Sequence, residues 1–340
     1  MKTAVFFTGA LRTIKKTMRY IKQNVLIHPD VHVFACLQNL SQESTDYWNT
    51  WLQTMLGAHS ISITWIDQTI ISQWEPHREH LLRSMSIPFP IFYEEEKRYV
   101  TEEDIKHYLR TFGPMIEYVQ LQYAYLAMCH HEQLHRFEYE HIIRIRTDTF
   151  YGKPIDFHWL TWTDSEVEQR MNVIRQKLVE EGMDSGPKNV FSYFMSTVLS
   201  DDVIPSLKQL LIQNLPSHHA SKAEIPSTPY QLNKYLRKGK YILTVRKNLI
   251  YVVRRSLFHI IPSLASLYGT FRSPHSDGYW FNSECQFQGA CYYSGLTIHD
   301  YSSAFEELPI AQREGWTESD YFDADFNCKH NTMLYCVVRT

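Results

Sequence analysis

The stretch that decides the fold is His141-Ile-Ile-Arg-Ile-Arg-Thr-Asp-Thr-Phe-Tyr151. Its three isoleucines are β-branched and stand in a short apolar run, which is typical of a strand buried within a parallel sheet. Polarity then changes at Arg144, Arg146 and Asp148, which occupy alternate positions and therefore face the same side of the sheet. The sequence predicts a central strand that ends in three charged side chains.

These three charges predict a binding site at the end of that strand. In open α/β sheets, ligands bind in the crevice beyond the carboxyl ends of the strands. A carboxylate such as Asp148 can hold a divalent metal ion, and the guanidinium groups of Arg144 and Arg146 can hold an anion. We therefore expect a metal-bound diphosphate there. The alternative is an ion-pair network with a structural role, because buried charges need partners.

Composition excludes several classes of protein. The chain has 340 residues, 44% of them hydrophobic, which is enough to bury one large core. Its net charge of -3 gives no reason to expect a nucleic-acid partner. No apolar run reaches the roughly 18 residues of a membrane span. The six cysteines form no C-x-x-C pair, which favours reduced thiols and a cytoplasmic location.

Strands alternate with helices along the first part of the chain. The predicted strands are Thr3–Phe7, Val31–Leu37, Ile61–Ile66 and the run from His141. This spacing indicates βαβ units, and so an α/β fold with a mostly parallel, Rossmann-type sheet flanked by helices. We expect residues 1–155 and 156–340 to be two halves of one domain. Residues 68–112, rich in charge and proline, are predicted to be an inserted excursion.

The turn after the first strand is a second candidate for anion binding. It reads Thr8-Gly9-Ala10-Leu11-Arg12-Thr13 and leads into an amphipathic helix. A glycine turn at a helix start offers backbone N–H groups to an anion, and Arg12 adds a positive charge. The alternative is a turn without a ligand, with which many α/β proteins begin. Asp67, at the end of the third strand, is placed to contact a base or ribose, or else to cap the surface.

A different chemistry is suggested by His131-Glu132-Gln133-Leu134-His135, which matches H-E-x-x-H. In zinc hydrolases the two histidines of this motif bind the metal and the glutamate activates water. No third ligand motif follows, and the helix leads at once into the strand at His141. A zinc-dependent hydrolase is therefore an alternative function, and a histidine-rich helix end is the plainer interpretation.

The second half of the chain offers a candidate base. Asn282-Ser-Glu284 is predicted to begin a helix, and a carboxylate in the first turn is held ionised by the helix dipole. Glu284 could then accept the proton of a sugar hydroxyl. Asp277, in the preceding loop, is the other candidate.

Residues 234–255 are strongly basic and predict an antiparallel hairpin from Lys240 to Arg255. The eight basic residues are Lys234, Arg237, Lys238, Lys240, Arg246, Lys247, Arg254 and Arg255. Such an excess could hold an anionic acceptor or make a peripheral membrane contact. The alternative is a hairpin edge that its charges keep in solvent.

Four segments together resemble the nucleotide-sugar glycosyltransferases of the GT-A fold. They are Phe6–Thr13, the helix with Gln120 and Gln122, Ile142–Asp148, and Asn282–Glu284. More narrowly, they are similar to the branch found in bacterial surface-polysaccharide clusters and large DNA viruses. The resemblance covers roughly the first 155 residues and one later helix.

The resemblance implies a sugar donor linked to UDP or another nucleotide, a glycan acceptor, and a cytoplasmic location, in the host for a viral protein. It implies that residues 1–155 bind the donor and residues 156–340, including a C-terminal region, bind the acceptor. The implied donor-binding residues are Thr8, Gly9, Arg12, Thr13, Asp67, Arg144, Arg146 and Asp148. Glu284 or Asp277 would be the base of an inverting reaction. A non-catalytic nucleotide- or glycan-binding protein is a further alternative.

The resemblance also implies Mn²⁺ or Mg²⁺ bound to a D-x-D motif at the end of the fourth strand. This chain has Asp148-Thr-Phe150 there, so the second acid is missing. Two possibilities follow. Either Asp148 alone holds the metal, together with water and phosphate oxygens, or Arg12, Arg144 and Arg146 neutralise the diphosphate without it.

Overall fold

The structure is a computed structural model that describes residues 3–27, 31–57, 59–84, 91–93, 98–101, 103–104, 113–151, 163–186, 189–190, 241–244, 250–271, 282–300 and 335–337. The strands are β1 (Thr3–Ala10), β2 (Val31–Gln38), β3 (Ser60–Trp65), β4 (Ile91–Tyr93), β5 (Arg98–Val100), β6 (His141–Arg146), β7 (Thr149–Tyr151), β8 (Tyr241–Thr244), β9 (Tyr251–Arg254), β10 (Thr297–Asp300) and β11 (Tyr335–Val337). The helices are α1 (Ile14–Asn24), α2 (Thr45–Met55), α3 (Gln68–Ser84), α4 (Gly113–His135), α5 (Asp164–Glu180), α6 (Arg255–Phe258), α7 (Leu264–Leu267) and α8 (Ser283–Tyr293).

Seven strands form one sheet in the order β10-β8-β9-β6-β1-β2-β3. β1 is parallel to both of its neighbours, β2 and β6, and β3 is parallel to β2. β9 is antiparallel to β6 and to β8, and β10 is parallel to β8. The prediction of an α/β fold with a mostly parallel sheet and an antiparallel hairpin is therefore confirmed. The hairpin β8–β9 belongs to the main sheet, which joins strands from both halves of the chain.

The order of the strands reverses between β1 and β6. The chain passes from β1 outward to β2 and β3, and then returns to form β6 on the opposite side of β1. In doubly wound folds, the strand ends at such a reversal, the switch point, splay apart and leave a crevice for ligands. The two segments predicted to bind an anion overlap the ends of these strands. The prediction of a turn from Thr8 is wrong for residues 8–10, because β1 continues to Ala10, and Arg144 and Arg146 belong to β6.

Hydrophobic residues on the two faces of the sheet form two cores. Phe7, Ile143 and Ile145 pack with α1, α2 and α5 on one face. Phe6 and Ile142 pack with α4 and the later helices on the other face. Consecutive residues of a strand face opposite sides, which is why neighbours in sequence enter different cores. Fully burying each of these side chains contributes roughly 1.5–3 kcal/mol.

The sequence predicts a helix from Pro114 to about Arg136 with an apolar stripe of Ile116, Val119, Tyr123, Leu126 and Leu134. Helix α4 has nearly these bounds, but the predicted apolar face is partly wrong. Leu126 and Leu134 are 55% and 68% exposed, whereas Met115, Tyr118 and Met128 are fully buried. Apolar residues occur on every side of this helix, so their spacing alone does not identify the face that meets the sheet.

The predicted excursion begins with a helix that packs on the core. Residues 68–84 form α3, and its Ile70, Ile71 and Trp74 lie against the core that contains Phe6. Strands β4 and β5 then form a small antiparallel pair. No helix in the described part of the chain combines the length and the apolar character needed to cross a membrane.

Candidate functional site

The ends of β1 and β6 lie in close contact through Gly9. The backbone N–H of Thr147 donates to the carbonyl oxygen of Thr8 at 3.1 Å. Gly9 has a φ of +138°, and a Cβ atom there would lie 2.3 Å from Thr147 Oγ1. Only glycine permits both this backbone conformation and this approach. In this geometry, Gly9 keeps the end of β1 against the segment that carries Asp148.

Threonine side chains fill the junction between the two strand ends and α1. Those with 2% or less of their surface exposed are Thr8, Thr13, Thr17, Thr147 and Thr149. Thr17 Oγ1 donates to the carbonyl of Thr147 at 2.6 Å, and Thr147 Oγ1 donates to the carbonyl of Ala10 at 2.7 Å. These bonds fix the turn at residues 147–148 to the start of α1.

Two of these hydroxyl groups have unused hydrogen-bonding capacity. The Oγ1 atoms of Thr13 and Thr149 are buried and have no hydrogen-bond partner among the described residues. Thr13 occupies the N-cap position of α1, yet its side chain makes no capping bond. A buried polar group without a partner costs about 1–3 kcal/mol, and such groups in native structures often mark the place of a water, ion or ligand.

Arg146 and Asp148 form a bidentate ion pair. Arg146 Nε lies 2.8 Å from Asp148 Oδ1, and Nη2 lies 2.6 Å from Oδ2. Their side chains are 27% and 19% exposed, so the pair is only partly in solvent. Their side chains meet although Asp148 lies in the turn that follows β6, where the strand period no longer applies. We call them the Arg146–Asp148 pair.

Arg144 lies deeper and is held from three elements. Its Nη2 is 3.0 Å from Glu117 Oε1 on α4, and its Nε is 3.3 Å from Thr8 Oγ1 on β1. The guanidinium carbon lies 6.0 Å from the centre of the Tyr251 ring on β9. Only 2% of the Arg144 side chain is exposed. These contacts are the structural ion-pair network of the alternative interpretation, and they place Arg144 behind the strand ends.

Glu117 is the site residue that sequence reasoning missed. Burial raises the pKa of the Glu117 carboxyl, and the positive charges of Arg144 and Arg146 act against that shift. Glu284 and Asp148 are close enough to raise the pKa of Glu117 further. A signal was present, because Glu117 is the only Asp, Glu, Lys or Arg between Gly113 and His131. A single acid in an apolar helix is rarely buried without a partner.

Glu284 reaches the same edge of the sheet through α8. Asn282 Oδ1 accepts from the backbone N–H of Cys285 at 2.7 Å, so the predicted cap and the first-turn position of Glu284 are confirmed. The Tyr118 hydroxyl donates a short hydrogen bond to the carbonyl of Ser283. Because Tyr118 follows Glu117 on α4, this bond ties the start of α8 to the charged cluster. Asp277 lies outside the described residues.

The remaining predicted residues lie at the rim or away from the switch point. Arg12 is exposed in the turn that precedes α1, one position before the N-cap and so ahead of the first helical turn. Asp67 is exposed at the end of β3, and its Oδ1 accepts from the backbone N–H of Ile70 at 2.9 Å. It therefore caps α3 on an outer strand, two strands away from β1.

Asp148 fits a divalent metal ion only in company with other ligands. Both of its carboxylate oxygens accept from Arg146. The described residues include no group of three His, Cys, Asp or Glu side chains that could hold a metal. Mg²⁺, however, is commonly bound by one or two carboxylates together with water and substrate phosphates. Asp148 suits that shared mode, provided that Arg146 releases it.

The glutamate of the H-E-x-x-H segment takes part in an ion pair within the fold. Glu132 forms a bidentate ion pair with Arg255, at 3.0 Å from Oε1 to Nε and 2.9 Å from Oε2 to Nη2. Glu132 Oε1 also accepts from the backbone N–H of Tyr139 at 3.0 Å. The carboxylate that would activate water is thus held by a guanidinium. The rings of His131 and His135 lie 4.3 Å apart, beside these bonds.

The ion pair between Glu132 and Arg255 also involves the last residue of the basic segment 234–255. Its Arg255 is turned inward against Glu132, with 19% of its side chain exposed. Residues 234–240 and 245–249, which hold six of the eight basic side chains, lie outside the described residues.

Comparison with known proteins gives little beyond the geometry. No family model matches the chain, and no curated protein matches it. Among solved structures, the apo form of mouse xyloside xylosyltransferase 1 aligns over 100% of this chain and 98% of its own. The sequence identity is 10% and the TM-score is 0.34, a level of similarity from which neither fold nor activity follows.

Proposed function

We propose that the protein is a glycosyltransferase that moves a sugar from a nucleotide-diphosphate sugar, with a UDP-sugar as the expected donor, to a hydroxyl group of a glycan. One observation carries the proposal. Residues 8–13, the end of β1 and the turn after it, meet the charged stretch of residues 144–148 at the carboxyl ends of β1 and β6, where the strand order reverses. That is where α/β folds bind the phosphates of nucleotides.

The turn before α1 is proposed to bind the diphosphate. Backbone N–H groups at a helix start favour negative charge, and the unpartnered hydroxyl of Thr13 is a further donor at that start. Arg12, exposed beside it, and Arg146 would supply the positive charge. Thr8 and Gly9 would act by shaping the end of β1, since Thr8 Oγ1 accepts from Arg144 and Gly9 packs against Thr147.

Asp148 is proposed to hold Mn²⁺ or Mg²⁺ together with the donor phosphates. When bound, such an ion would neutralise charge on the departing diphosphate, which lowers the barrier to transfer. In the alternative, Asp148 stays paired with Arg146 and no metal binds. The guanidinium groups, chiefly those of Arg12 and Arg146, then neutralise the diphosphate. A role for Asp67 at the base or ribose stays a prediction, because its side chain caps α3.

The transfer itself needs a base if the anomeric centre is inverted. The acceptor oxygen forms a bond to the anomeric carbon, and the bond from that carbon to the phosphate oxygen breaks, with its electron pair leaving on the nucleoside diphosphate. Glu284, in the first turn of α8, would accept the proton of the acceptor hydroxyl. Asp277 is the other candidate. Residues 156–340 are proposed to bind the glycan.

A panel of nucleotide sugars tests this proposal. The protein is incubated with each donor, with and without Mn²⁺, and both the melting temperature and the release of nucleoside diphosphate are measured. A true donor at a hundred times its Kd adds about 2.7 kcal/mol to the stability of the fold. We expect one donor to raise the melting temperature and to be turned over by the wild type. A stabilising donor that is never cleaved would instead identify a non-catalytic binding protein.

Location and membrane contact remain predictions. The cytoplasmic location follows from the cysteine pattern, and the peripheral membrane contact follows from the basic residues of 234–255. Fractionation of cells that express the tagged chain, before and after a high-salt wash, measures both.

A further inference from the structure

Three polar side chains form a row across the sheet near the carboxyl ends of its parallel strands. Arg144 on β6 lies opposite Tyr251 on β9, and Tyr251 lies opposite Thr244 on β8. Opposed residues of paired strands project to the same face, which here is the face covered by α4 and α8. All three residues are buried, with 2% or less of their surface exposed. The row therefore places two hydroxyl groups and a guanidinium inside the fold, beside the proposed donor site.

The hydroxyl groups of Tyr251 and Thr244 have no hydrogen-bond partner among the described residues, although both oxygen atoms are buried. Two other buried hydroxyl groups in this region do have one: Thr8 Oγ1 accepts from Arg144, and the Tyr118 hydroxyl donates to the carbonyl of Ser283. Phenylalanine and valine would fill the same space as Tyr251 and Thr244 without a polar group to satisfy. Buried polar groups that lack a protein partner in native structures commonly meet a water molecule or a ligand.

The Tyr251 ring is held between neighbours, so its hydroxyl has a defined position. The ring stacks on Phe287 of α8, with ring centres 5.4 Å apart, and the Arg144 guanidinium carbon lies 6.0 Å from the ring centre. Burial raises the pKa of the Tyr251 hydroxyl, and the positive charge of Arg144 offsets only part of that shift. The hydroxyl therefore keeps its proton, so it can both donate and accept a hydrogen bond.

The charges nearest to the row are paired. Arg144 Nη2 lies 3.0 Å from Glu117 Oε1, and the Arg146–Asp148 pair follows two residues later in the chain. A charged ligand in this buried place would add a charge without a partner, which is costly away from water. A neutral group that donates and accepts hydrogen bonds fits the two hydroxyl groups without that cost.

We propose that Tyr251 and Thr244 form a buried binding site for a neutral hydroxyl group. Two sources supply this chemistry. One is a water molecule enclosed by the fold, and the other is a hydroxyl group of the donor sugar that reaches the row from the neighbouring diphosphate site. The second source rests on the proposed function, whereas the first does not.

Tyr251→Phe and Thr244→Val remove the two hydroxyl groups and keep the shapes of the side chains. Thermal melts of the full chain without a donor test the first source. If a water molecule occupies the site, each variant loses a hydrogen bond that the free wild type makes, so its melting temperature falls by roughly 2 °C or more. Because both hydroxyl groups bind the same water, the double variant should lose less than the sum of the two single losses.

Titration calorimetry with UDP and with the nucleotide sugar that the wild type binds tests the second source. If a sugar hydroxyl occupies the site, the free variants melt at or above the wild-type temperature, because each lacks a hydroxyl that only the donor satisfies. The Kd of the nucleotide sugar should then rise about three- to tenfold in each variant, while the Kd of UDP stays at the wild-type value.

Two further tyrosine variants are matched controls for the melts. Tyr118 is as fully buried as Tyr251, but its hydroxyl has the Ser283 carbonyl as a partner, so Tyr118→Phe should lower the melting temperature. Tyr292 is 39% exposed, so Tyr292→Phe should change neither the melting temperature nor donor binding. If Thr244→Val does not fold, which circular dichroism reveals, Thr244→Ala replaces it in the double-variant comparison.

The outcomes separate failure of the site from failure of the proposed function. The site is overturned if both variants melt at or above the wild-type temperature and bind the nucleotide sugar as the wild type does. It is equally overturned if the losses of stability are additive and donor binding is unchanged, because the two hydroxyl groups then share no ligand. If neither UDP nor any nucleotide sugar binds the wild type, the proposed function is overturned, and the melts alone decide whether water occupies the site.

Discussion

Glu117 on α4 and Arg144 on β6 form a 3.0 Å ion pair, with side chains only 12% and 2% exposed. Removing one partner of a buried pair leaves the other charge uncompensated, which typically costs 3–5 kcal/mol. We therefore predict that Glu117→Ala lowers the free energy of unfolding by about 3 kcal/mol. Urea denaturation measures this. Glu79→Ala is the control and should change stability by less than about 1 kcal/mol, because Glu79 is 45% exposed and Arg78 keeps its pair with Glu75.

Replacing Asp148 with Asn should abolish sugar transfer and leave the fold intact. The change removes the charge that the proposed mechanism needs, while the partly exposed ion pair itself contributes little to stability. Release of UDP from the donor found in the panel measures the first effect, and a thermal melt measures the second. A variant with wild-type turnover would contradict the assignment of Asp148.

Gly9→Ala should destabilise the protein more than Gly182→Ala does. Both positions have positive φ, at +138° and +67°, so both substitutions strain the backbone. Only at Gly9 would the new Cβ also meet a neighbour, Thr147 Oγ1 at 2.3 Å, whereas nothing lies within 4 Å at Gly182. The difference in unfolding free energy between the two variants isolates the contact. Equal losses would mean that the approach of β1 to the Thr147 turn relaxes without cost.

Stability should fall as the pH is lowered from 6.5 to 4. Burial lowers the pKa of His32 to about 4, with His131 and His135 adding to the shift, and burial with Arg254 lowers the pKa of His141 to about 4. The folded state thus favours the neutral imidazoles. Their contribution is complete above the ordinary pKa of 6.5 and is lost as the pH falls towards 4.

Urea denaturation at pH 7, 6, 5 and 4 measures this pH dependence. His32→Gln should flatten the profile, because one titrating group is removed. A wild-type stability that stays constant down to pH 4 would show that neither imidazole is held neutral by the fold.

The purified protein should contain no stoichiometric zinc, and Glu132→Ala should destabilise it by about 3 kcal/mol. Glu132 is held in an ion pair with Arg255, so it is not expected to activate a zinc-bound water. Glu132→Ala would leave the Arg255 guanidinium, 19% exposed, without its carboxylate partner, which explains the expected loss of stability. Metal analysis of the wild type and of His131→Ala checks the first part. Zinc at one equivalent that disappears in His131→Ala would support the hydrolase instead.

The central sheet was predictable because strong local patterns determine it. The apolar run around Ile143 and the apolar run before Gly9 each predict a strand, and Asn282 or Ser283 is predicted to cap the start of α8. Each of these signals resides in a few consecutive residues. The alternation of strands and helices predicts a mostly parallel sheet, but not that β1 pairs with β6.

The partners of the charged residues were not predictable in the same way. Arg144 was expected to bind an anion, yet it bonds Glu117, which lies 27 positions earlier on a helix. The spacing of charges shows which side of a strand they face, but only tertiary packing determines what stands opposite. For the same reason, the sequence alone does not show whether Glu132 of the H-E-x-x-H match is available to a zinc-bound water or is paired with Arg255.

The pairing of β6 with β9 has a consequence for biosynthesis. β6 is complete at Arg146, but its second neighbour, beginning at Tyr251, leaves the ribosome about 5–20 s later at typical elongation rates. During that interval the strand that carries the site has an open edge of unpaired backbone groups, to which another chain can add. We expect nascent chains stalled before Tyr251 to recruit chaperones, and a fragment ending at residue 155 to aggregate when it is expressed alone.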